Sequence, residues 1–372
     1  MSRTKIANTT LALALLILIV VIRSFTLLPA GDVVHEGSST VRRHQSPLEA
    51  SFTRRQSPSN RTMVFVHVGK AAGETVKWRL KVSCDLRKSK RKKALCHELF
   101  HEHDESYMSK ATIGYLHCNR LQPRGSIANA TTYMISLRDP IDRIVSWYQE
   151  MHPLNCSPER PSAACNLKKG NNPWGLRFYE QCFPRVDDLF RSIQALNLSE
   201  ASANTNDHNN NNNNCSDFAL ETIQGRGPEG ASNHMFYNYQ YYSNRTTFRY
   251  PEKDVVVVRQ EMLWDDMRRI EGLLGGDPNY PFETQGKIDN HGSDKFLYRA
   301  KLDPSLVPPL CCFLSNEIIV YNNLLERALN LEPRHKEYSI KTLFSKCRVD
   351  SLQTLSSRCG WRPSELPSFG LV

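Results

Sequence analysis

The sequence predicts an α/β fold, a single domain in which a central parallel sheet is flanked by helices. Two stretches predict this fold, Met63–Trp78 and Thr131–Glu150, because each runs from an apolar strand through a short loop into a helix. A third apolar run, Asp254–Arg259, is typical of a core strand and is followed by a helical pattern over Gln260–Leu274. Strands that alternate with helices in this way form parallel sheets.

The loop in the first stretch predicts an anion site. Small residues around Lys70 follow the strand Met63–Val68, and Thr75 lies in the first turn of the predicted helix. Backbone N–H groups and a helix N-terminus bind phosphate oxygens, and small side chains let them come close. The predicted ligand is a phosphate or phosphosulfate, held by Lys70, Ala71, Ala72, Gly73, Glu74 and Thr75. The alternative is a plain turn with a solvated Lys70, since neither G-x-x-x-x-G-K-[ST] nor G-x-G-x-x-G is present.

The second stretch predicts a phosphate ligand at the end of a strand. The strand Thr132–Leu137 is followed by Arg138, and Pro140 then starts an amphipathic helix. Open α/β sheets bind ligands at this end of their strands, and the fork of a guanidinium suits a phosphate. Ser146, two turns along the helix, is expected to reach the same anion. Alternatively, Arg138 pairs locally with an aspartate, Asp139 or Asp142.

Histidines between the two stretches suggest different roles. His117, at the end of the predicted strand in Ala111–Asn119, is either a general base or a hydrogen-bonded structural residue. His97 and His101 match the zinc-protease pattern H-E-x-x-H. That pattern requires a third ligand and a protease architecture, so a surface helix is the preferred interpretation and no metal site is predicted.

The N-terminal segment predicts a membrane anchor over residues 11–30. Leu11–Ile22 is uninterrupted apolar sequence, and the span is long enough to cross a bilayer if Arg23 reaches the interface. Basic residues at positions 3 and 5 place the N-terminal end in the cytosol. We expect an uncleaved signal anchor, with a cleaved signal peptide as the alternative. Both the signal anchor and the signal peptide would place the rest of the chain in the secretory lumen.

Cysteines and sequons fit that lumen. The chain has 11 cysteines, an odd number, and spacing suggests the near-neighbour pairs Cys84–Cys96, Cys156–Cys165 and Cys347–Cys359 without determining the connectivity. The absence of any C-x2-C pair argues against zinc. N-glycosylation sequons within the predicted lumenal part begin at Asn60, Asn129, Asn155, Asn197, Asn214 and Asn244.

Differences in composition along the 372 residues predict a series of segments. The predicted order is a cytoplasmic tail (1–10), the anchor (11–30), a flexible stem (31–60), the globular domain (61–335) with an Asn-rich insertion at about 200–216, and a C-terminal tail (336–372). Within the insertion, Asn204–Asn214 predicts a disordered loop. Asn233–Tyr242 is aromatic and either lines an acceptor cleft or packs in the core. Leu310–Leu331 predicts one long helix.

The two stretches resemble a known family. VHVGKAAGETV is similar to the 5′-phosphosulfate loop of sulfotransferases, and SLRDPIDRIVSWY is similar to their 3′-phosphate motif. The likeness is to the Golgi membrane carbohydrate sulfotransferases, especially the heparan sulfate 2-O- and 6-O-types. The second motif matches at Leu137, Arg138, Asp139, Pro140, Arg143 and Ser146. The first departs from P-K-T-G-G-T-T, because Gly69 replaces the proline and Ala71-Ala72 replaces Thr-Gly.

The resemblance implies a P-loop-NTPase-like sulfotransferase domain on the lumenal side of a single-pass type II Golgi membrane protein. The implied donor is 3′-phosphoadenosine 5′-phosphosulfate, with Lys70 at the phosphosulfate and Arg138 and Ser146 at the 3′-phosphate. His117 is the implied base, and Ser293 and Lys295 lie in a late loop that would close over the nucleotide. The scheme requires no metal.

The expected acceptor is a glycan hydroxyl. The net charge of +10 favours acidic partners, and the basic run Leu86–Lys93 is either a solvated loop or a polyanion-binding patch. We expect an anionic glycan and the membrane as partners, and no nucleic acid. The alternatives are another acceptor class on the same fold, such as protein tyrosine or a kinase-like phosphotransfer, and a non-catalytic polyanion-binding membrane protein.

Overall fold

The computed structural model describes residues 62–80, 112–116, 130–156, 165, 173–200, 211–223, 233–245, 253–282 and 297–360. Several predicted features therefore lie outside the described residues, namely the tail, anchor and stem (1–60), the basic run, the H-E-x-x-H segment, Cys84, Cys96, His117, Ser293 and Lys295.

In this described part of the chain, four strands form the sheet: β1 (Thr62–Val66), β2 (Thr112–Leu116), β3 (Thr132–Leu137) and β4 (Asp254–Arg259). The helices are α1 (Gly73–Arg79), α2 (Pro140–Met151), α3 (Pro173–Leu176), α4 (Val186–Glu200), α5 (Asn211–Ile223), α6 (Asn233–Phe236), α7 (Tyr239–Arg245), α8 (Leu263–Leu273), α9 (Val307–Phe313), α10 (Ser315–Arg327), α11 (Pro333–Cys347) and α12 (Leu352–Cys359). Short 3-10 turns span Pro153–Asn155 and Gln260–Met262, and a π-helix spans Arg177–Cys182.

All described strand pairs are parallel, in the order β2-β1-β3-β4. The strands alternate their side chains between two apolar layers, which explains why β3 is buried along its whole length. On one face, Met63 and Phe65 pack with Val76 of α1 and Met267 of α8. On the other face, alternate strand residues such as Val64, Ile135 and Val257 pack with α2, α9 and α10. The predicted parallel sheet between helices is therefore present.

The outer edge of β4 is covered by the segment after α10. Ala328 forms a parallel bridge with Val255. Asn330 then continues the pairing with its side chain, because its Oδ1 accepts from the backbone N–H of Val257 at 2.9 Å and its Nδ2 donates to the Val257 carbonyl at 2.8 Å. The amide thus satisfies backbone groups that an edge strand would expose.

The C-terminal segment is part of the domain through Cys359, in contrast to the predicted tail. Helices α11 and α12 contribute Leu343 and Leu355 to the larger apolar layer. Their cysteines pair with two adjacent residues of α9, in the bonds Cys311–Cys347 and Cys312–Cys359. The predicted Cys347–Cys359 pair is therefore wrong.

Other sequence predictions have mixed outcomes. The Cys156–Cys165 bond is present, and Cys182–Cys215 adds a pair that spacing did not suggest. The predicted long helix over Leu310–Leu331 is two helices, α9 and α10, which are separated at Leu314. Helix α5 begins at Asn211, so the predicted disordered loop is wrong for its last four residues, Asn211–Asn214.

Candidate active site

The site lies where the sheet reverses its strand order. The chain passes from β1 to β2 on one side and then returns to β3 on the other side of β1. Helix α1 follows β1 on one face, and α2 follows β3 on the opposite face. The loops after β1 and β3 therefore diverge and leave a crevice at the carboxyl end of the sheet, where open α/β folds bind ligands. The two sequence stretches supply these two loops.

The loop after β1 has the backbone of an anion nest. Lys70 and Ala72 have positive φ values of 68° and 59°, whereas Gly69 and Gly73 do not have positive φ. The Ala71 N–H donates to the Val68 carbonyl at 3.3 Å, which closes the turn. Left-handed backbone at a residue other than glycine costs about 1–3 kcal/mol and clusters at functional sites. Alternating left- and right-handed residues turn successive N–H groups toward one point, which suits an anion.

The two glycines of the loop are required by neighbouring histidines. A Cβ on Gly69 would lie 1.9 Å from Nδ1 of His234, and a Cβ on Gly73 would lie 1.8 Å from Cδ2 of His67. Both imidazole rings therefore rest directly against the loop backbone. Sequence analysis missed both rings, because His234 comes from α6, far along the chain, and only its aromatic neighbours suggested a role.

Arg138 joins the two loops. Its Nη1 donates to the carbonyl oxygen of Lys70 at 3.3 Å. Its backbone is held by the buried Tyr239, whose hydroxyl accepts from the Arg138 N–H at 2.7 Å and donates to the Arg138 carbonyl at 2.8 Å. Burial lowers the pKa of the Arg138 guanidinium, since a charge is costly there without an anion. The structure thus brings two predicted ligands, Lys70 and Arg138, together.

The alternative pairing of Arg138 with nearby aspartates is not observed. Asp139 caps α2, because its Oδ1 accepts from the backbone N–H of Ile141 at 2.7 Å. Lys346 of α11 lies 3.1 Å from Oδ2 of Asp139 and 2.7 Å from Oδ2 of Asp142. Burial raises the pKa of the Asp139 carboxyl, and Lys346 opposes that shift. The acidic residues therefore build the helix start.

Arg143 of the second motif is a core residue. It is fully buried, and its Nε and Nη2 donate to the two carboxylate oxygens of Glu317 on α10 at 2.7 and 2.9 Å. Its Nη1 donates to the backbone carbonyl of His234 at 2.6 Å. Burial raises the pKa of the Glu317 carboxyl, and Arg143 opposes that shift. This bidentate pair fixes the segment that places the His234 ring on the loop.

The last turn of α2 brings a carboxylate to the loop. The ammonium of Lys70 forms an ion pair with the carboxylate of Glu150. Ser146 lies one turn before Glu150, so the two residues share a helix face. That face is the one the loop approaches, which places the predicted ligand Ser146 beside the crevice. Sequence analysis did not identify Glu150, because nothing in the pattern marks it among the polar residues of α2.

The remaining predicted loop residues lie in the turn after β1 and at the start of α1. The Ala71 side chain is buried, and the Ala72 carbonyl accepts from the Val76 N–H at 3.2 Å as α1 begins at Gly73. Thr75 is half-buried in the first turn of α1. The side chain of Glu74 lies outside the described part, as do His117, Ser293 and Lys295.

The aromatic segment mostly packs in the core. Tyr239 and Tyr242 are each 1% exposed.

Within the described ranges, no three His, Cys, Asp or Glu side chains are grouped to hold a metal ion. Among the same residues, no helix has the length and apolar character needed to cross a membrane.

Residues 56–171 match the model of the sulfotransferase family. The matched range contains both β1 and β3 and the two loops that follow them, and the small parallel sheet between helices fits a sulfotransferase domain. The match supports sulfuryl transfer in general, an activity for which that family generally uses 3′-phosphoadenosine 5′-phosphosulfate. Comparisons with curated proteins and with solved structures gave no match.

Proposed function

We propose that this chain transfers a sulfuryl group from 3′-phosphoadenosine 5′-phosphosulfate to a hydroxyl group of a glycan. The observation that carries the proposal is the contact between the Arg138 guanidinium and the Lys70 carbonyl at the strand-order reversal. The donor has an anionic group at each end of its ribose. Two adjacent cationic loops, one with the backbone of an anion nest, support binding of such a molecule.

Each residue then has a distinct role. The nest from Lys70 to Gly73 binds the 5′-phosphosulfate, and Thr75 adds a hydroxyl donor. Arg138 and Ser146 bind the 3′-phosphate. A guanidinium desolvated by burial gains most from an anion, which is consistent with the lowered pKa of Arg138.

The reaction is an in-line displacement at sulfur. The acceptor oxygen forms a bond to sulfur, and the bond between sulfur and the bridging oxygen of the 5′-phosphate breaks. His117 takes the proton of the acceptor hydroxyl, a role that typically contributes about 10²–10⁴-fold to rate. Lys70 and the loop N–H groups stabilise the negative charge that grows on the leaving phosphate. Adenosine 3′,5′-bisphosphate is the second product.

Charge and cysteine chemistry support the proposed acceptor and compartment. An anionic glycan suits the net charge of +10 and the basic run Leu86–Lys93. The four disulfide bonds among the described residues support an oxidising compartment, because such bonds are rare in the cytosol. We therefore place the domain in the Golgi lumen, behind an anchor at residues 11–30.

The first test is binding of adenosine 3′,5′-bisphosphate to the purified full-length chain. We expect micromolar affinity that is lost in Lys70→Ala/Arg138→Ala. The matched control is Lys341→Ala/Arg334→Ala, which removes two cations whose side chains are each 74% exposed. A folded wild-type chain that does not bind the nucleotide would exclude the proposed donor. Heparin retention in that case would favour the non-catalytic polyanion-binding protein.

The acceptor is tested separately, with radiolabelled donor and two acceptor classes. Desulfated glycosaminoglycans should become labelled, and tyrosine-containing acidic peptides should not. Labelling of the peptides alone would shift the assignment to a tyrosylprotein sulfotransferase. Loss of glycan labelling in His117→Ala, with nucleotide affinity retained, would support the base.

A further inference from the structure

The ion pair between Lys70 and Glu150 opposes the proposed function of Lys70. The two side chains are 16% and 30% exposed, so the pair is only partly open to solvent. Glu150 lies on α2, the helix that begins directly after Arg138. A carboxylate at this position adds negative charge to a site that is proposed to bind an anion. The sulfuryl-transfer scheme assigns no role to this carboxylate.

We propose that Glu150 is a positioning residue that holds the Lys70 ammonium before the donor binds and competes with the donor for it. This inference rests on the proposed function, because it concerns the lysine that would bind the phosphosulfate. Donor binding exchanges one anionic partner of Lys70 for another, so the carboxylate lowers donor affinity.

The backbone supports an exchange that involves the lysine side chain alone. The main chain of Lys70 is fixed in the left-handed region, and its carbonyl oxygen accepts from Arg138 at 3.3 Å. The positive charge of the two loops also favours the Glu150 carboxylate at this position. Lys70 and Arg138 bring two positive charges to neighbouring loops that are in contact, and such an excess of charge favours a nearby anion. Glu150 neutralises part of that charge until the donor arrives.

The magnitude follows from the exposure of the pair. Partly exposed ion pairs are each worth a fraction of the energy of a buried pair, so loss of the competitor should tighten nucleotide binding about two- to five-fold. Ser146 shares the helix face of Glu150 and is a proposed ligand of the same nucleotide. The competition should therefore be visible in affinity for the product nucleotide, with no acceptor present.

The test is a double-mutant cycle on the Kd of adenosine 3′,5′-bisphosphate, measured by calorimetry on the full-length chain. Glu150→Gln should tighten binding about two- to five-fold. The matched control, Glu180→Gln, removes an exposed carboxylate from the π-helix and should leave the Kd unchanged. In a Lys70→Ala background, Glu150→Gln should have no effect. Unchanged or weaker binding in Glu150→Gln would overturn the proposal, and so would equal tightening in both backgrounds.

A second readout needs no nucleotide. Loss of the carboxylate should speed acylation of the Lys70 amine by an amine-reactive reagent, quantified by peptide mass spectrometry, while Glu180→Gln should not. If Glu150→Gln is labelled faster than wild type but the wild-type chain does not bind the nucleotide, the ion pair is supported and only the donor assignment is refuted. Equal labelling rates in wild type and Glu150→Gln would refute the ion pair itself.

Discussion

The contact between Gly69 and His234 gives a direct test of the loop geometry. In Gly69→Ala, the new Cβ would lie 1.9 Å from Nδ1, 2.6 Å from Cγ and 2.9 Å from Cβ of His234. The clash includes the base of the side chain, so rotation of the ring alone cannot relieve it. The backbone of His234 is also held, because its carbonyl accepts from the buried Arg143 at 2.6 Å.

The expected cost is steric. Gly69 has no positive φ, so alanine meets no backbone strain at this position. Overpacking of a well-packed site costs about 1–3 kcal/mol, and we expect a loss of that size in the free energy of unfolding. Urea denaturation followed by tryptophan fluorescence measures it.

The decisive comparison is the double variant Gly69→Ala/His234→Ala. Removing the imidazole vacates the space that the new methyl group needs, so the double variant should recover stability relative to Gly69→Ala. Gly360→Ala is the control for backbone strain, because Gly360 has φ +70° and no atom within 4 Å of the added Cβ. If the double variant is no more stable than Gly69→Ala, the His234 ring does not rest on the loop.

Three further predictions concern buried polar groups. Glu317→Gln should destabilise the fold by about 3–5 kcal/mol, because it leaves the Arg143 charge buried without a counterion, and thermal unfolding measures the loss. Asn155 should carry no glycan in the protein expressed in a secretory pathway despite its sequon, since the residue is 9% exposed and its amide bonds to the backbone of Tyr298 at 3.0 and 2.7 Å; glycopeptide mass spectrometry would contradict this by finding occupancy. Burial lowers the pKa of His152 to about 4, so the folded state favours the neutral ring and stability should fall as the pH drops from about 6.5 toward 4, by at most about 3 kcal/mol. A pH titration of unfolding in His152→Gln should lack that component.

Local pattern predicted the elements that determine the site. The bounds of β3 and β4 agree with the apolar runs Thr132–Leu137 and Asp254–Arg259, because burial on both faces leaves a continuous apolar signal. The break at Arg138 and the helix start at Pro140 are also local, since they depend on a fixed φ and a side-chain cap. The predicted anion site rests on these neighbouring residues alone, and it stays a prediction.

Long-range partners were not predictable. Cys347 pairs with Cys311 across 36 residues, although Cys359 is nearer in sequence. Arg143 pairs with a carboxylate 174 positions away. Periodicity reports that a residue is buried, but the identity of its partner depends on how helices pack. The break between α9 and α10 at Leu314 was also not predictable, because no glycine or proline marks it in the sequence.

Helix α2 explains why the second motif has its spacing. Asp139 caps the helix, and Arg143, one turn later, enters the core and fixes the His234 segment. Ser146 and Glu150 follow on the face toward the loop after β1. The motif that the sequence predicts as a phosphate site therefore also contains residues that build the fold. Asp139 and Arg143, which build the helix start and the core, are buried and paired with other elements, whereas Ser146 and Glu150 lie on the face toward the loop after β1, so the proposed site depends on side chains that are not proposed to touch the donor.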